Sequence, residues 1–468
     1  MERGQSPVWQ RGPFEPVAGS ALPIFRSPPG PQEAAETWYY APGYFAIVGG
    51  QAGPFERDLL SSGGGTRHAA ELRRHARAAQ EAWADAETRP FAPVCLTVYV
   101  DNRCNLACEY CYSSPLPPTR TTPRIALTAV RAAAELVARN CVASSLPFTL
   151  VLHGGGEPTL DRRLADEIID AAIDAASRHR LSLFRYVATN GVMPRSAAAW
   201  LADRFDTIGL SCDGPAWIHD RQRPLLGGAG SLRAVERTAR VVRQAGRPLH
   251  VRVTITPQSL GHQPEIARYI CRQLEPQEIH VEPEYRVGRA SATGRPSFDA
   301  ASADEFVAGY VEARAVARGY GVDWQASGAR LGDVHGPYCH VFRDVLHIVP
   351  GDVATACFTT VNADRARGRG LELGAPDALT GGFVMDEPRL RRLRQLLRRQ
   401  PSPCDGCFNR YHCARDCPDS CPLDGPSTVL SFRCRVQESL AYVQLREAAQ
   451  TLRAGGPEAD GVLGGPVA

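Results

Sequence analysis

Val98-Tyr99-Val100-Asp101-Asn102-Arg103-Cys104-Asn105-Leu106-Ala107-Cys108-Glu109-Tyr110-Cys111-Tyr112 sets three cysteines in one short loop behind an apolar, β-branched run. The spacing is C-x3-C-x2-C, with an aromatic residue before the last cysteine. Three soft thiolates this close suit a cubane iron–sulfur cluster or zinc. A structural tetrahedral site takes four protein ligands, whereas three leave one metal position open to a substrate or cosubstrate. The competing reading is a zinc site completed by a distant residue.

Outward from this loop, short apolar runs alternate with Ala/Leu/Arg-rich helical stretches. Strands are expected over 94–100, 148–153, 183–188, 207–211, 250–256 and 279–282, with helices over 126–139, 163–177, 197–205, 232–245 and 262–271 between them. Such alternation implies a parallel sheet with right-handed crossovers. Six units are fewer than the eight of a closed barrel, so the expected class is α/β, an open or partial (β/α)6 TIM-like barrel. In that architecture the reactive site lies at the carboxyl ends of the strands, where the cysteine loop falls.

Composition narrows the function. The chain has 468 residues, 44% hydrophobic and 22% charged, and a net charge of only +3, so no basic field argues for a nucleic-acid partner. All 53 basic residues are arginine. Without lysine, Schiff-base and pyridoxal-phosphate chemistry and a P-loop phosphate site are excluded. No apolar run reaches the 18 or so residues of a membrane span, and residues 1–7 lack a signal-peptide pattern, so a cytoplasmic protein is expected. In a reducing compartment the 15 cysteines are metal ligands or catalytic thiols rather than disulfides.

A second match follows the second expected strand: Leu152-His153-Gly154-Gly155-Gly156-Glu157-Pro158-Thr159. Together with the cysteine loop it resembles the radical S-adenosylmethionine (SAM) superfamily. The resemblance implies a [4Fe–4S] cluster on Cys104, Cys108 and Cys111 that binds SAM. Gly154, Gly155, Gly156 and Glu157 would then lie at the SAM methionine. Asn190 in Ala188-Thr189-Asn190-Gly191, and Ser211 and Asp213 in Leu210-Ser211-Cys212-Asp213-Gly214-Pro215, would serve the ribose or carboxylate. Each of these three residues is equally readable as turn or cap chemistry. Electron transfer to SAM would release a 5′-deoxyadenosyl radical, and the resemblance implies a reductant such as flavodoxin or ferredoxin.

Cys404, Cys407, Cys413 and Cys417 follow C-x2-C-x5-C-x3-C, with Cys339 and Cys357 upstream and Cys434 downstream. This set resembles the SPASM domain of radical SAM peptide-modifying enzymes, which implies two auxiliary [4Fe–4S] clusters. Cys404, Cys407, Cys413 and Cys434 would hold the outer one, and Cys339, Cys357 and Cys417 the inner one. The cysteine that completes the inner cluster in some relatives is missing; Asp333 and His335 stand in that neighbourhood, and Cys421 is surplus. The inner cluster therefore has an open iron or a further ligand. Zinc on the C-terminal thiolates is the rival. Cys95, Cys141, Cys212 and Cys271 read as small buried apolar residues.

The resemblance implies a peptide or protein substrate, such as a precursor peptide, and a crosslink or other oxidative change. The alternative is a sulfatase maturase that makes formylglycine; those typically carry an aspartate after the second SPASM cysteine, where Phe358 stands here. A non-enzymatic iron–sulfur carrier or zinc scaffold is the reading from another class. Glu282, Tyr285, Asp333 and His335 lie where substrate could approach, and each reads equally as an exposed or satisfied polar residue; no catalytic acid or base is readable.

The expected organisation is an N-terminal α+β extension (1–92), the partial barrel (93–290), a helical linker (291–338), the auxiliary-cluster domain (339–440), and a C-terminal helix with a disordered tail (441–468). In the extension, Pro28-Pro29-Gly30-Pro31 precedes an aromatic strand-like run over 38–48, a glycine loop at 63–65 and a helix near 67–86. It reads as a cap over the barrel mouth or as a leader-peptide-binding domain.

Overall fold

The apolar runs that alternate with helices become one sheet. The structure, a computed structural model, describes residues 14–27, 36–50, 52–61, 65–114, 122–291, 294–299, 302–327, 330–399, 404, 406–413, 417, 421, 423, 431–455 and 462–467. The expected Pro28–Pro31 stretch, Gly63-Gly64 and residues 456–461 and 468 of the tail lie outside these.

Cys95–Val98, Phe148–Leu152, Leu183–Thr189, Thr207–Ser211, Leu249–Ile255 and Glu278–Pro283 lie side by side in chain order, all parallel. Between them run Leu127–Ser144, Arg162–Arg178, Arg195–Arg204, Leu232–Gln244 and Gln263–Gln273, as the alternation requires. The fold is α/β, the parallel sheet of a partial barrel. In Leu249–Ile255 the apolar Val251, Val253 and Ile255 are buried while His250, Arg252 and Thr254 turn the other way. Period two thus sends apolar side chains under the helices and polar ones toward the barrel interior. On Leu127–Ser144, Ala129, Ala133, Val137 and Cys141 recur every fourth residue and are buried, which makes the inward stripe of a covering helix.

The sheet does not stop at the expected boundaries. Asp323–Ala326, from the expected linker, adds a further parallel strand beside Glu278–Pro283, reached through Ser302–Arg318. Val345–Val349, from the expected cluster domain, adds another beside Cys95–Val98, and Val353–Thr355, Glu372–Pro376 and Phe383–Met385 continue antiparallel. Both additions are short runs that pair with distant chain, a relation that local pattern does not encode.

The aromatic run 38–48 is a hairpin, Glu36–Ala41 and Tyr44–Gly49, turned at Gly43 with φ +88°. It centres an antiparallel sheet that Phe25–Arg26 and Glu15–Pro16 extend on one side. One face (Tyr39, Ala41, Ala46, Val48) packs on Gly53–Leu60 and Arg67–Thr88, and the other (Trp38, Tyr40, Phe45, Ile47) on the C-terminal helix Phe432–Ala454. Burial on both faces explains why the run is apolar throughout rather than alternating. The extension therefore seats on the C-terminal helix and on Phe408 of the cysteine-rich segment.

Two expectations for the C-terminus are corrected. The final helix begins at Phe432, capped by Ser431 through the Cys434 N–H at 3.1 Å, and so crosses the expected boundary at 440. The expected disordered tail contains a strand, Val462–Pro466, paired antiparallel with Tyr44–Val48. Its Gly464 is required: a Cβ there would lie 2.3 Å from His68 Nδ1. Gly-rich composition here marks close backbone approach in a strand, not a linker.

Candidate active site

At the carboxyl ends of the barrel strands lies a cavity of about 570 Å³. Cys104, Cys108 and Cys111 all line it, and they are the only cysteines that do among the described residues. Their loop is fixed largely by its backbone. Asp101 accepts from the Arg103 N–H at 2.7 Å, Ala107 N–H donates to Pro224 O at 2.8 Å, and Glu109 N–H donates to Gln222 O at 2.9 Å. From the far side Arg289 N–H donates to Cys111 O at 2.9 Å, and Gly288 permits this because a Cβ would meet that carbonyl at 2.4 Å.

Cys104 Sγ accepts from Leu106 N–H at 3.4 Å and Asn190 Nδ2–H at 3.6 Å, partners suited to a thiolate. Burial, with Glu157 nearby, pushes the Cys104 thiol up to about 12, and burial pushes Cys108 up to about 11. Left bare, such thiols stay protonated; a bound iron supplies the positive charge that ionises them. Three thiols lining one cavity, N–H donors to one sulfur and, among the described residues, no fourth cysteine on the cavity wall fit a cubane with one open iron.

The Gly-Gly-Gly-Glu turn is explained by its contacts. A Cβ on Gly154 would lie 2.5 Å from the Tyr112 hydroxyl oxygen, on Gly155 2.8 Å from Tyr99 Cδ2, and on Gly156 2.1 Å from Arg103 O. Gly154 and Gly155 also have φ +69° and +71°. Gly154 and Gly156 line the cavity, and Gly155 lies behind them. Glu157, though on the wall, is occupied: one oxygen accepts from Thr159 N–H (3.2 Å), Thr159 hydroxyl (2.7 Å) and Thr189 hydroxyl (2.7 Å), the other from Asn190 N–H (2.7 Å). Burial raises its pKa against these donors. It ties the ends of the second and third strands together.

Gly156→Ala is expected to displace the cysteine loop, because Arg103 O also accepts the Glu157 N–H at 2.8 Å. The expected result is a loss of about 1–3 kcal/mol in stability, seen as a lower melting midpoint, together with reduced iron per chain after anaerobic reconstitution.

Asn190 and Ser211 line the cavity. Asn190 Nδ2 also donates to Asn105 Oδ1 at 2.8 Å, and its Oδ1 accepts from Val192 N–H at 2.8 Å, so turn chemistry and wall position coincide. Asp213 is placed differently: fully buried behind the wall, it accepts from Tyr110 hydroxyl (2.7 Å), Gln222 Nε2 (2.9 Å) and Thr254 N–H (3.1 Å). Tyr110, the aromatic before the last cysteine, is also bound by Arg223. His219 and Asp220 serve this same scaffold: His219 Nδ1 accepts the Asp213 N–H, and Asp220 accepts from Ser231 and Leu232 N–H.

The cavity is also lined by His153, Tyr186, Arg252, His280, Glu282, Tyr285 and Phe358, of which the sequence had not pointed to Tyr186, Arg252 or His280. Burial, with Arg252 adding, pushes His153 down to about 3, so it is neutral. Asp333 and His335 lie elsewhere: Asp333 O accepts from His412 Nδ1 at 2.6 Å, and His335 N–H donates to Tyr411 O at 2.7 Å.

Among the described residues no helix is long and apolar enough to cross a membrane. Residues 98–270 match the Radical SAM superfamily. A cysteine-type anaerobic sulfatase-maturating enzyme of Clostridium perfringens is 25% identical over 170 residues, 36% of this chain and 45% of that one. An uncharacterized protein of Synechocystis is 26% identical over 191 residues, 40% of this chain and 47% of its own. The chain thus spans less than half the length of these curated relatives. Among solved structures, anSMEcpe with bound AdoMet superposes with TM-score 0.60 at 18% identity, over 77% of this chain and 96% of that chain. Streptococcus suis SuiB bound to S-adenosylmethionine superposes at 0.50 and 17% identity, over 80% and 85%. Residues 98–270 are a radical SAM domain, that of an enzyme, and the domain implies a [4Fe–4S] cluster and SAM.

Proposed function

We propose that this chain is a peptide-modifying radical SAM enzyme that removes hydrogen from a residue of a ribosomally made peptide. When bound, the cluster and SAM supply a 5′-deoxyadenosyl radical able to abstract hydrogen from an unactivated carbon. The observation that carries the reading is the set of three cavity-lining thiols with a glycine-rich turn against them, at the carboxyl ends of the strands.

The protein's own part is to bind, orient and exclude. Cys104, Cys108 and Cys111 hold the cluster. Gly154, Gly156, Asn190 and Ser211 form the wall beside it that receives SAM, while Glu157 and Asp213 orient that wall from within. Arg252 is exposed at the cavity wall beside Ser211, its neighbour in the strand pairing, and offers a cation to an anionic group of cosubstrate or peptide. Neutral His153 and the Phe358 ring also line the cavity, with ring centres 5.2 Å apart. Cys404, Cys407, Cys413 and Cys434 would hold one auxiliary [4Fe–4S] cluster and Cys339, Cys357 and Cys417 another, which would supply one-electron redox chemistry beside the cavity.

Peptide maturation is favoured over formylglycine formation because Phe358, on the cavity wall, follows Cys357 where sulfatase maturases typically carry an aspartate. Co-expression with a candidate short peptide, such as one encoded beside the gene, followed by mass spectrometry, tests this. A two-hydrogen loss that requires the enzyme is expected. Conversion of a sulfatase-type cysteine to formylglycine, with no change in that peptide, overturns it.

A further inference from the structure

We infer that Arg252 anchors a carboxylate of the substrate peptide, so that the peptide enters the barrel with an acidic side chain or its C-terminal carboxylate foremost. The assignment rests on the peptide reading above and names the chemical class that this cavity selects.

Arg252 is the fourth of the seven residues of Leu249–Ile255, so it stands inside the barrel, below the rim that carries the cysteine loop. It is the one exposed position of that strand, and the space it is exposed to is the cavity. Ser211 pairs with it on one side and His280 on the other, and both line the same cavity. Tyr186, on the strand beyond Ser211, lines it too. Gly209 makes room for that phenol to reach over the neighbouring strand: a Cβ there would lie 1.9 Å from the Tyr186 hydroxyl oxygen. Three neighbouring strands thus bring a phenol, a serine hydroxyl and a guanidinium fork to one cavity, a donor set suited to a carboxylate.

The other charged groups of the wall leave this cation over. Glu157 is taken by its four donors. Glu282 is held by Arg433 at 3.0 Å, His280 Nε2 at 3.0 Å and Ser327 N–H at 2.9 Å. Glu284 lies 3.5 Å from Arg295. Among the described residues no carboxylate lies within ion-pair distance of Arg252. A cation in a partly enclosed site without a protein counterion is half of a pair that a ligand completes.

SAM also brings a carboxylate, but a second cation stands nearer the cluster. Arg223 lines the cavity, bonds the Tyr110 hydroxyl and lies with its guanidinium 5.7 Å from that ring centre. Its buried Nε has no partner among the described residues. Tyr110 sits between Cys108 and Cys111. Arg223 is therefore the cation at the cysteine loop, on hand for the methionine end of SAM, and Arg252 is left for the substrate.

The test measures binding, so it does not depend on turnover. The full chain, reconstituted anaerobically and loaded with SAM, is titrated by calorimetry at millimolar concentration with two probe pairs. One is acetyl-Gly-Asp-Gly amide against its Asn counterpart; the other is acetyl-Gly-Gly-Gly with a free C-terminus against its amide. A preference of at least about tenfold for the carboxylate is expected in one pair, and that pair identifies the source as side chain or terminus. Arg252→Gln is expected to remove the preference, and Arg252→Lys, which keeps the charge without the fork, to retain part of it. Radiolabelled SAM binding is expected to weaken in Arg223→Gln and to change by less than about threefold in Arg252→Gln. Equal affinity for acid and amide in the native chain overturns the assignment, as does a preference that survives in Arg252→Gln. A tenfold loss of SAM affinity in Arg252→Gln also overturns it, because the cation then serves the cosubstrate. A carboxylate preference in a chain that alters no peptide keeps the anchor and overturns the maturation reading instead, so the two failures are distinguishable.

Discussion

Cys104→Ala is expected to abolish 5′-deoxyadenosine formation from SAM and dithionite, to the level seen without protein. Three thiols hold the cluster in the loop that follows Cys95–Val98, and no fourth cysteine lines the cavity among the described residues to replace a lost one. Cys104 is also the thiol that receives the Leu106 and Asn190 N–H groups, so alanine removes the acceptor of the Leu106 N–H and leaves Asn190 Nδ2 only its bond to Asn105 Oδ1. Loss of activity should come with loss of about four irons per chain. Cys271→Ala is the control: its thiol is buried in the core on the helix Gln263–Gln273, so turnover is retained at a cost of about 1 kcal/mol in stability. Turnover of Cys104→Ala above background sinks the cluster assignment.

The barrel was legible because its units are local. Each strand from Phe148–Leu152 to Glu278–Pro283 carries its own apolar periodicity, and each helix between them its own buried stripe. What escaped is non-local. Val345–Val349 finds its partner Cys95–Val98 some two hundred and fifty residues upstream, and Val462–Pro466 pairs with Tyr44–Val48 at the other end of the chain. A strand of Val-Leu-Gly-Gly-Pro has no side-chain pattern to read; its case lies in His68, which leaves room only for a glycine.

The site divides in the same way. Thiol spacing and the glycine turn were readable because close backbone approach demands those residue types. Which polar residues face the cavity and which stand behind it was not, as Ser211 and Asp213 show from one strand end. Arg252 left a signal that was available: a charged residue at an inward position of an otherwise apolar alternating strand. Arg433 left none, because its role depends on four groups of a segment about one hundred and fifty residues away.

Arg433→Leu is expected to be the most destabilising of the single substitutions considered. The Arg433 side chain is 3% exposed and donates to Glu282 Oε2 at 3.0 Å, to Pro283 O at 2.9 Å and to Glu284 O at 3.4 Å. Its guanidinium also lies 4.7 Å from the Tyr285 ring centre. Leucine leaves Glu282, itself 12% exposed, as a largely buried carboxylate with, among the described residues, His280 Nε2 (3.0 Å) and Ser327 N–H (2.9 Å) as its remaining donors. Removing one partner of a buried pair costs about 3–5 kcal/mol, and the surviving donors place this case near 3. Lysine keeps the charge but not the fork or the stacking, and should recover part of the loss. Replacing both Glu282 and Arg433 by leucine should recover more than either single change, since no buried charge is stranded. The pH dependence separates this from a packing effect. Burial alone would raise the Glu282 pKa, but the hydrogen bond and charge of His280, then Arg433 and Ser327, hold it well below the usual carboxylate range. A carboxyl lowered on folding stabilises above its unfolded pKa of about 4.3, and that contribution fades as pH falls below it. Urea midpoints measured from pH 6 to pH 3 should therefore fall more steeply for the native chain than for Arg433→Leu. Parallel curves would mean that Glu282 draws nothing from Arg433, and that the arginine holds only the Pro283 and Glu284 carbonyls.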